Sequence, residues 1–362
     1  MKILHLQPEL NITCGVSKMI SILIENSPKN LDNFIITLAG DGIERFKNMG
    51  DKLLVLNYNK KYFFYIPFIF IYILDFCRKQ NIDIVHSHHR LFDLIAYPIS
   101  KMLKIKTITT VHSKVKGFRS ISYKSDILVA VSNSIKDHLI NEFSIKKNKI
   151  KVIHNFVLEK ESILTEGENY LRENLALPPN SLNLIFIGRL DEEKGIDILL
   201  KAFLIVQKTN KNLYLLLVGN GSKVQYAKDF IIENNLRARI IEPRYNIFEI
   251  YKIADIIVLP SRVDPFPLVM IEAGLMKKPF IGSKVDGIAE LIVHGDDGLL
   301  FEKENVQDLV SSINYMIADM NRAKVFGENL YKKIVNNYLA EKGVDLYNKV
   351  YEELFNEKDN SR

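Results

Sequence analysis

The sequence predicts an α/β protein of two doubly wound, parallel-sheet domains, on three observations. Short segments rich in Ile, Val and Leu alternate with helical patterns along the whole chain. Those segments are apolar on both faces, as strands of a sheet covered by helices on each side must be. A polar stretch at 159–180, holding Pro178-Pro179, interrupts the alternation before it restarts. A length of 362 residues also exceeds what one core ordinarily serves.

In the first half the expected strands are 2–7 (KILHLQ), 34–38 (FIITL), 83–87 (DIVHS), 106–112 (KTITTVH) and 127–132 (ILVAVS). Helical patterns at 16–27, 67–79, 91–103 and 133–142 lie between them. In the second half strands are expected at 182–189, 213–219, 239–242, 255–260 and 279–283, with further helices from 306 onward. The expected division is a first domain at 1–158, a linker at 159–180 and a second domain at 181–338. A last helix in 339–362 is expected to pack back on the first domain. No internal repeat or low-complexity segment interrupts this order.

Composition narrows the function classes. With 47% hydrophobic and 25% charged residues the chain reads as soluble and globular. Its two cysteines, Cys14 and Cys77, are far apart, which excludes a disulfide framework and points to a reducing cytosol. The opening MKILHLQPEL is a strand with no signal-peptide region. The longest apolar run, 62–74 (YFFYIPFIFIYIL), is broken by Pro67 and falls short of the roughly 20 residues a membrane span needs. Residues 1–160 carry 24 Lys and Arg against 13 Asp and Glu, a net +11, while 161–362 carry 25 against 30, a net −5. Without Trp or a nucleic-acid motif, the basic half points to an anionic membrane or a phosphate, not to nucleic acid. The expected location is cytoplasmic, peripheral on the inner face of the cell membrane.

Open α/β sheets bind ligands outside the carboxyl ends of their strands, so polar residues there are the candidates. In IFIGRLDEEKG, Arg189 ends a strand and Lys194 precedes a helix, a pair suited to phosphate. VGNGSK places Gly219 at another strand end. PSRVDPFPLVMIEAG (260–274) sets Asp264 and Glu272 on either side of a Pro-Phe-Pro turn, where backbone N–H groups of 266–269 open a helix. A carboxylate such as Glu272 can accept two hydrogen bonds from a vicinal diol. Taken singly, each has a plainer reading as a solvated charge, a glycine turn or an acid serving a helix dipole. In VHSHH, the residues His86, His88 and His89 have a metal-like spacing, since alternate strand residues share a face. No cysteine or carboxylate set completes a site there.

The order of the pieces is more specific than any one of them. GRL..EKG, GNG, DPFPLVMIEAG and G.AE.I..G..GLLF together resemble the retaining glycosyltransferases of family four, which have the GT-B fold: two Rossmann-like domains facing a central cleft. The resemblance covers nearly the whole chain and is strongest over 184–302. It implies that Arg189 and Lys194 hold a nucleotide diphosphate, with Gly219 close by, and that Glu272 holds the nucleotide ribose. Phe266, Leu268 and Val269 would present backbone N–H groups, and Asp264 would face the donor sugar where the family has Glu. In the first domain it implies Gly15 near the diphosphate, with Cys14 replacing a family glycine, and His112 near the donor sugar. The family's Asn-Gly before the linker appears here as His154-Asn155-Phe156.

The reaction so implied is retaining transfer from a nucleotide-diphosphate sugar to a glycan or lipid-linked acceptor, in bacterial surface polysaccharide or glycolipid synthesis. It would use no cofactor and no metal. His112, Asp264, Arg189 and Lys194 would be the residues at the reaction, and a donor phosphate oxygen would take the acceptor's proton. The departures at Cys14 and Asp264 leave a catalytically silent GT-B scaffold or regulatory subunit as the alternative. A Rossmann dehydrogenase is disfavoured, because no G-x-G-x-x-G follows the first strand.

Overall fold

The computed structural model describes residues 1–57, 62–159 and 168–359. They form two compact units: Met1–Asn155 together with Ala340–Arg362, and Phe156–Leu339. The chain therefore leaves the first unit once and returns to it.

The first unit holds a seven-stranded parallel sheet: β1 (Lys2–Glu9), β2 (Asp32–Ala39), β3 (Leu53–Val55), β4 (Ile84–Ser87), β5 (Lys106–Val111), β6 (Ile127–Ala130) and β7 (Ile150–Val152). Their order is β3-β2-β1-β4-β5-β6-β7. Helices α1 (Gly15–Glu25), α2 (Ile66–Gln80), α3 (Arg90–Leu103) and α4 (Asn133–Phe143) connect them. Side chains of β2 alternate between two cores. Phe34, Ile36 and Leu38 pack with Ile69, Ile73, Phe92 and Ile99 of α2 and α3, whereas Ile35 packs with Leu10, Ile20 and Phe46. Burying each such side chain stabilises by about 1.5–3 kcal/mol. Helix ends follow local chemistry: Ser132 Oγ accepts the Ile135 N–H to start α4, and Asn81 stops α2 in a left-handed conformation.

The second unit holds six parallel strands: β8 (Leu182–Ile187), β9 (Leu213–Val218), β10 (Ala238–Ile241), β11 (Ile256–Leu259), β12 (Phe280–Ser283) and β13 (Leu299–Phe301), in the order β10-β9-β8-β11-β12-β13. Its helices are α5 (Glu168–Asn174), α6 (Ile196–Thr209), α7 (Val224–Glu233), α8 (Phe248–Ile253), α9 (Leu268–Leu275), α10 (Asp286–Leu291), α11 (Val306–Ala318) and α12 (Met320–Asn337). The last helix, α13 (Ala340–Asp359), belongs to the first unit, where Tyr347 and Tyr351 are buried.

Four elements lie outside the sequence expectation. Strands β3, β7 and β13 have three residues each and form sheet edges, too short to show a periodic pattern. Helix α5 occupies part of the stretch read as a linker, of which 160–167 lies outside the described residues. The apolar run at 62–74 turns one side inward, burying Ile69 and Ile73, and leaves Phe64 80%, Phe68 63% and Ile71 61% exposed. The first unit is also less basic than residues 1–160 suggest. Residues 340–362 add 4 Lys and Arg against 6 Asp and Glu, and Glu357 and Glu353 of α13 pair with Lys106 and Lys151.

Each sheet reverses its winding at one place, between β1 and β4 in the first and between β8 and β11 in the second. The carboxyl edge at such a reversal is where two loops splay apart and leave room for a ligand.

Candidate active site

At the reversal of the second sheet the loops after β8, β9 and β11 are locked together by close backbone approach. Gly219 has φ +146°, and a Cβ there would lie 1.9 Å from the Gly188 oxygen. Gly195 has φ +69°, and a Cβ there would lie 2.0 Å from the oxygen of Pro260. Only glycine fits either position. Arg262 fixes the turn that follows. Its guanidinium binds both Asp197 oxygens at 2.8 and 2.9 Å, Glu304 at 2.8 Å and the Glu192 carbonyl at 2.6 Å. Hydrogen bonding from Arg262 holds the Asp197 carboxyl below its ordinary range.

On this frame Lys194 Nζ donates to Asp264 Oδ2 at 2.5 Å, and Ser261 Oγ donates to the same oxygen at 3.1 Å. The Asp264 N–H in turn donates to Asp286 at 3.1 Å, so the acid is held from both sides and is only 4% exposed. Arg189 is exposed and pairs with acids of its own loop, Asp191 at 3.0 Å and Glu193 at 3.3 Å. Glu272 lies in the second turn of α9, buried, and accepts the Tyr251 hydroxyl at 2.7 Å. Burial first, and then the Glu272 charge, push that hydroxyl well above its ordinary range, so it stays a donor. Phe266 and Leu268 bury their side chains, leaving the backbone as what they can offer a ligand. Pro267 at the start of α9 supplies no side-chain cap to the first-turn N–H groups.

At the reversal of the first sheet the polar groups are imidazoles. His5 on β1, His86 on β4 and His88 just beyond it are buried, and His112, after β5, is half-buried. His5 Nδ1 lies 3.1 Å from His88 Nε2, and His88 Nδ1 lies 3.5 Å from His112 Nε2. His86 is held by Tyr351 at 2.7 Å and Thr110 at 2.8 Å. Burial pushes His5 down to about 4 and His112 to about 3, and carries His86 and His88 well below their ordinary value, so all four are neutral near pH 7. His89 accepts the Leu91 N–H at 3.2 Å and so caps α3. Gly15 is exposed at the start of α1, and Cys14 before it has an ordinary extended backbone, φ −90°, so its side chain costs no strain.

The fold thus gathers Arg189, Lys194, Gly219, Asp264, Phe266, Leu268, Val269 and Glu272 at one sheet edge, and Gly15 and His112 at the other. Lys194 and Asp264 touch directly, although the sequence assigns them different partners. Three residues escaped the sequence reading: Tyr251, Arg262 and His5. Each left a signal: a Tyr in an apolar helix must find its hydroxyl a partner, Arg262 sits inside PSRVDPFP, and His5 lies mid-strand in KILHL.

Two family models match the chain, Glycosyltransferase Family 4 over residues 23–159 and Glycosyl transferases group 1 over 168–333. A glycosyltransferase of Methanocaldococcus jannaschii is 30% identical over 291 residues, which span 76% of this chain and 77% of that protein. The chain belongs to glycosyltransferase family 4. The enzyme is also similar to the N-acetyl-alpha-D-glucosaminyl L-malate synthase of Bacillus anthracis, at 27% identity over 80% of this chain and 79% of that one. The capsular polysaccharide biosynthesis glycosyltransferase CapM of Staphylococcus aureus is 22% identical, over 86% and 87% of the two chains. Among solved structures, Anabaena HepE in complex with UDP-glucose has a TM-score of 0.86 at 17% identity, over 98% of the enzyme and all of the HepE chain. A glycosyltransferase of Rickettsia africae reaches 0.82 at 24% identity, over 98% of each chain. These likenesses establish the GT-B fold.

Proposed function

We propose that the enzyme moves a sugar, with retention of configuration and without a metal ion, from a nucleoside-diphosphate sugar to a glycan or lipid-linked acceptor. One observation carries the reading: the carboxyl edge at the second sheet's reversal holds two cations, Arg189 and Lys194, and a buried carboxylate, Glu272, that accepts the Tyr251 hydroxyl. Cations can neutralise a leaving diphosphate, as a metal would elsewhere, and a held carboxylate can take both hydroxyls of a ribose. Lys194, resting on Asp264, ties the sugar end of the site to its phosphate end. The bond from sugar to phosphate breaks, the acceptor oxygen attacks the same face, and its proton passes to the departing phosphate oxygen. The protein then has to supply position and charge, not a nucleophile. That Anabaena HepE was solved with UDP-glucose supports a nucleotide sugar as donor, and the likeness to CapM supports a role in surface polysaccharide synthesis. A thermal-shift screen of nucleotide sugars tests it, since a donor raises the melting temperature by mass action. NMR of the product anomer then reads retention or inversion. No stabilisation by any nucleotide sugar or nucleoside diphosphate overturns the reading.

The exposed side of α2 points to where the acceptor is met. Phe68 and Ile71 stand outward, as does Phe64 just before the helix, and Lys101 of the neighbouring α3 and Lys104 just after it are exposed. An anionic lipid surface suits both, with about 1 kcal/mol from each nearby Lys. No helix among the described residues is long and apolar enough to cross a membrane. Co-sedimentation with anionic vesicles at low salt, lost in high salt or in a Phe68→Ser, Ile71→Ser double variant, is the expected result. Binding to neither kind of vesicle favours a water-soluble acceptor, and equal binding to both means that the apolar face acts without the lysines.

A further inference from the structure

The imidazoles at the first sheet's reversal are aligned as well as close. His5 and His88 are nearly coplanar, 17° apart, with ring centroids separated by 5.4 Å. That separation equals the 3.1 Å nitrogen gap plus about one ring radius on each side, so the two nitrogens point straight at one another. The same holds for His88 and His112, with centroids 5.8 Å apart, a 28° tilt and a gap of 3.5 Å. Beyond His5, the chain ends on Asn33 Oδ1, 3.1 Å from His5 Nε2.

A neutral imidazole has one donor nitrogen and one acceptor nitrogen. Fixing one end of such a chain therefore fixes every ring in it. Asn33 Oδ1 can only accept, so His5 Nε2 carries the proton and His5 Nδ1 is bare. His88 Nε2–H then donates to His5, and His88 Nδ1 is bare in turn. His112 Nε2–H donates to His88, which leaves His112 Nδ1 as an unprotonated acceptor with no partner among the described residues.

We propose that Asn33, His5 and His88 are positioning residues that hold His112 in one tautomer, so that it accepts a hydrogen bond from a sugar hydroxyl and does not donate one. The polarity of the buried chain becomes a selection rule at its open end: a sugar hydroxyl is accepted, and a group that can only accept is refused. His5, His86 and His88 each bring a ring nitrogen within 4.8 Å of the others, a spacing open to a metal ion as well. The nitrogens of His5 and His88 aim at each other instead of converging, however, and both nitrogens of His86 already have partners at 2.7 and 2.8 Å.

The inference rests on the proposed role of His112, and the test separates the two. Nitrogen-15 NMR of the intact, untagged protein labelled at histidine reads each ring's protonated nitrogen directly. The expected result is His112 protonated at Nε2 and bare at Nδ1, a mixture of tautomers in His88→Phe, and recovery in His88→Gln, whose amide can replace both ring nitrogens. Transfer should fall about ten- to a hundredfold in His88→Phe and recover in His88→Gln, with affinity for free nucleoside diphosphate unchanged. The opposite tautomer in the wild type overturns the proposal without any variant needing to fold. So does a stoichiometric transition metal in the purified protein, lost in His5→Ala. Full transfer by His112→Ala would sink the sugar role of His112 alone, leaving the tautomer measurement to stand or fall separately.

Discussion

The two sheet reversals of this glycosyltransferase share a topology and differ in chemistry. The second is built from ion pairs: Arg262 on Asp197 and Glu304, Lys194 on Asp264, Arg189 on Asp191. The first is built from neutral rings and hydroxyls, with His5, His86, His88, His112, Thr110, Tyr347 and Tyr351 in hydrogen bonds that involve no formal charge. Each chemistry suits a different kind of ligand group. A diphosphate calls for fixed positive charge. A sugar calls for directional hydrogen bonds, which neutral groups supply without a competing counter-ion.

The contrast breaks most visibly at Lys194. Lys194→Ala removes a cation and also strands the buried Asp264 carboxylate, a loss of order 3–5 kcal/mol when a buried pair is broken. Transfer is expected to drop at least a hundredfold, with a lower melting temperature. Arg189→Ala, at an exposed site, should slow transfer about tenfold and leave stability unchanged. Equal melting temperatures for the two variants would mean that the Lys194–Asp264 pair is not part of the folded enzyme's support.

Acid should separate the two ends next. His5 titrates near 6.5 in an unfolded chain and at about 4 in the fold, so between those values the unfolded state binds more protons. Stability is then full above pH 6.5 and is lost as pH falls toward 4, by roughly 3 kcal/mol from His5 alone at about 1.4 kcal/mol per pKa unit. The Asp197 carboxyl, held below its ordinary value, keeps its contribution until the pH falls below about 3.8. Urea midpoints followed by circular dichroism should decrease from pH 7 to pH 5, a window the carboxylates barely touch. A midpoint that stays level would show that the histidines are protonated within the fold.

Finer substitutions sharpen the division within the charged end. Glu272→Gln should weaken free nucleoside diphosphate about tenfold, while Asp264→Asn spares the nucleotide and damages sugar transfer. Calorimetry with both ligands distinguishes them, and equal nucleotide losses would mean that the two acids are assigned wrongly. Tyr251→Phe is the smallest change, withdrawing one hydrogen bond of about 1 kcal/mol from Glu272. A severalfold rise in nucleotide Kd is expected, and no change would make Tyr251 a packing residue only.

Much of this was legible in the sequence where a long element repeats its pattern. Strands such as β8 and β9, six residues each and mostly apolar, announce themselves, and the strand ends then locate Arg189, Lys194 and Asp264. Contacts that join residues far apart in the chain were not legible. His5 lies 83 residues from His88, and Tyr251 lies 21 from Glu272. Nothing local marks which partner a buried polar group will find. The outward face of α2 was hidden for a related reason: a run apolar on every side does not say which side the fold covers.

The chain's return to the first unit has a consequence for how the molecule is made. Residues 156–339 form an insertion within a unit whose own pieces are 1–155 and 340–362. A nascent chain can finish the inserted unit while its host still lacks α13. Thr110 must wait 237 residues for the Tyr347 hydroxyl, and His86 waits 265 for that of Tyr351. Until then those buried polar groups lack partners that the finished fold provides, and the host is the half that a chaperone has reason to hold.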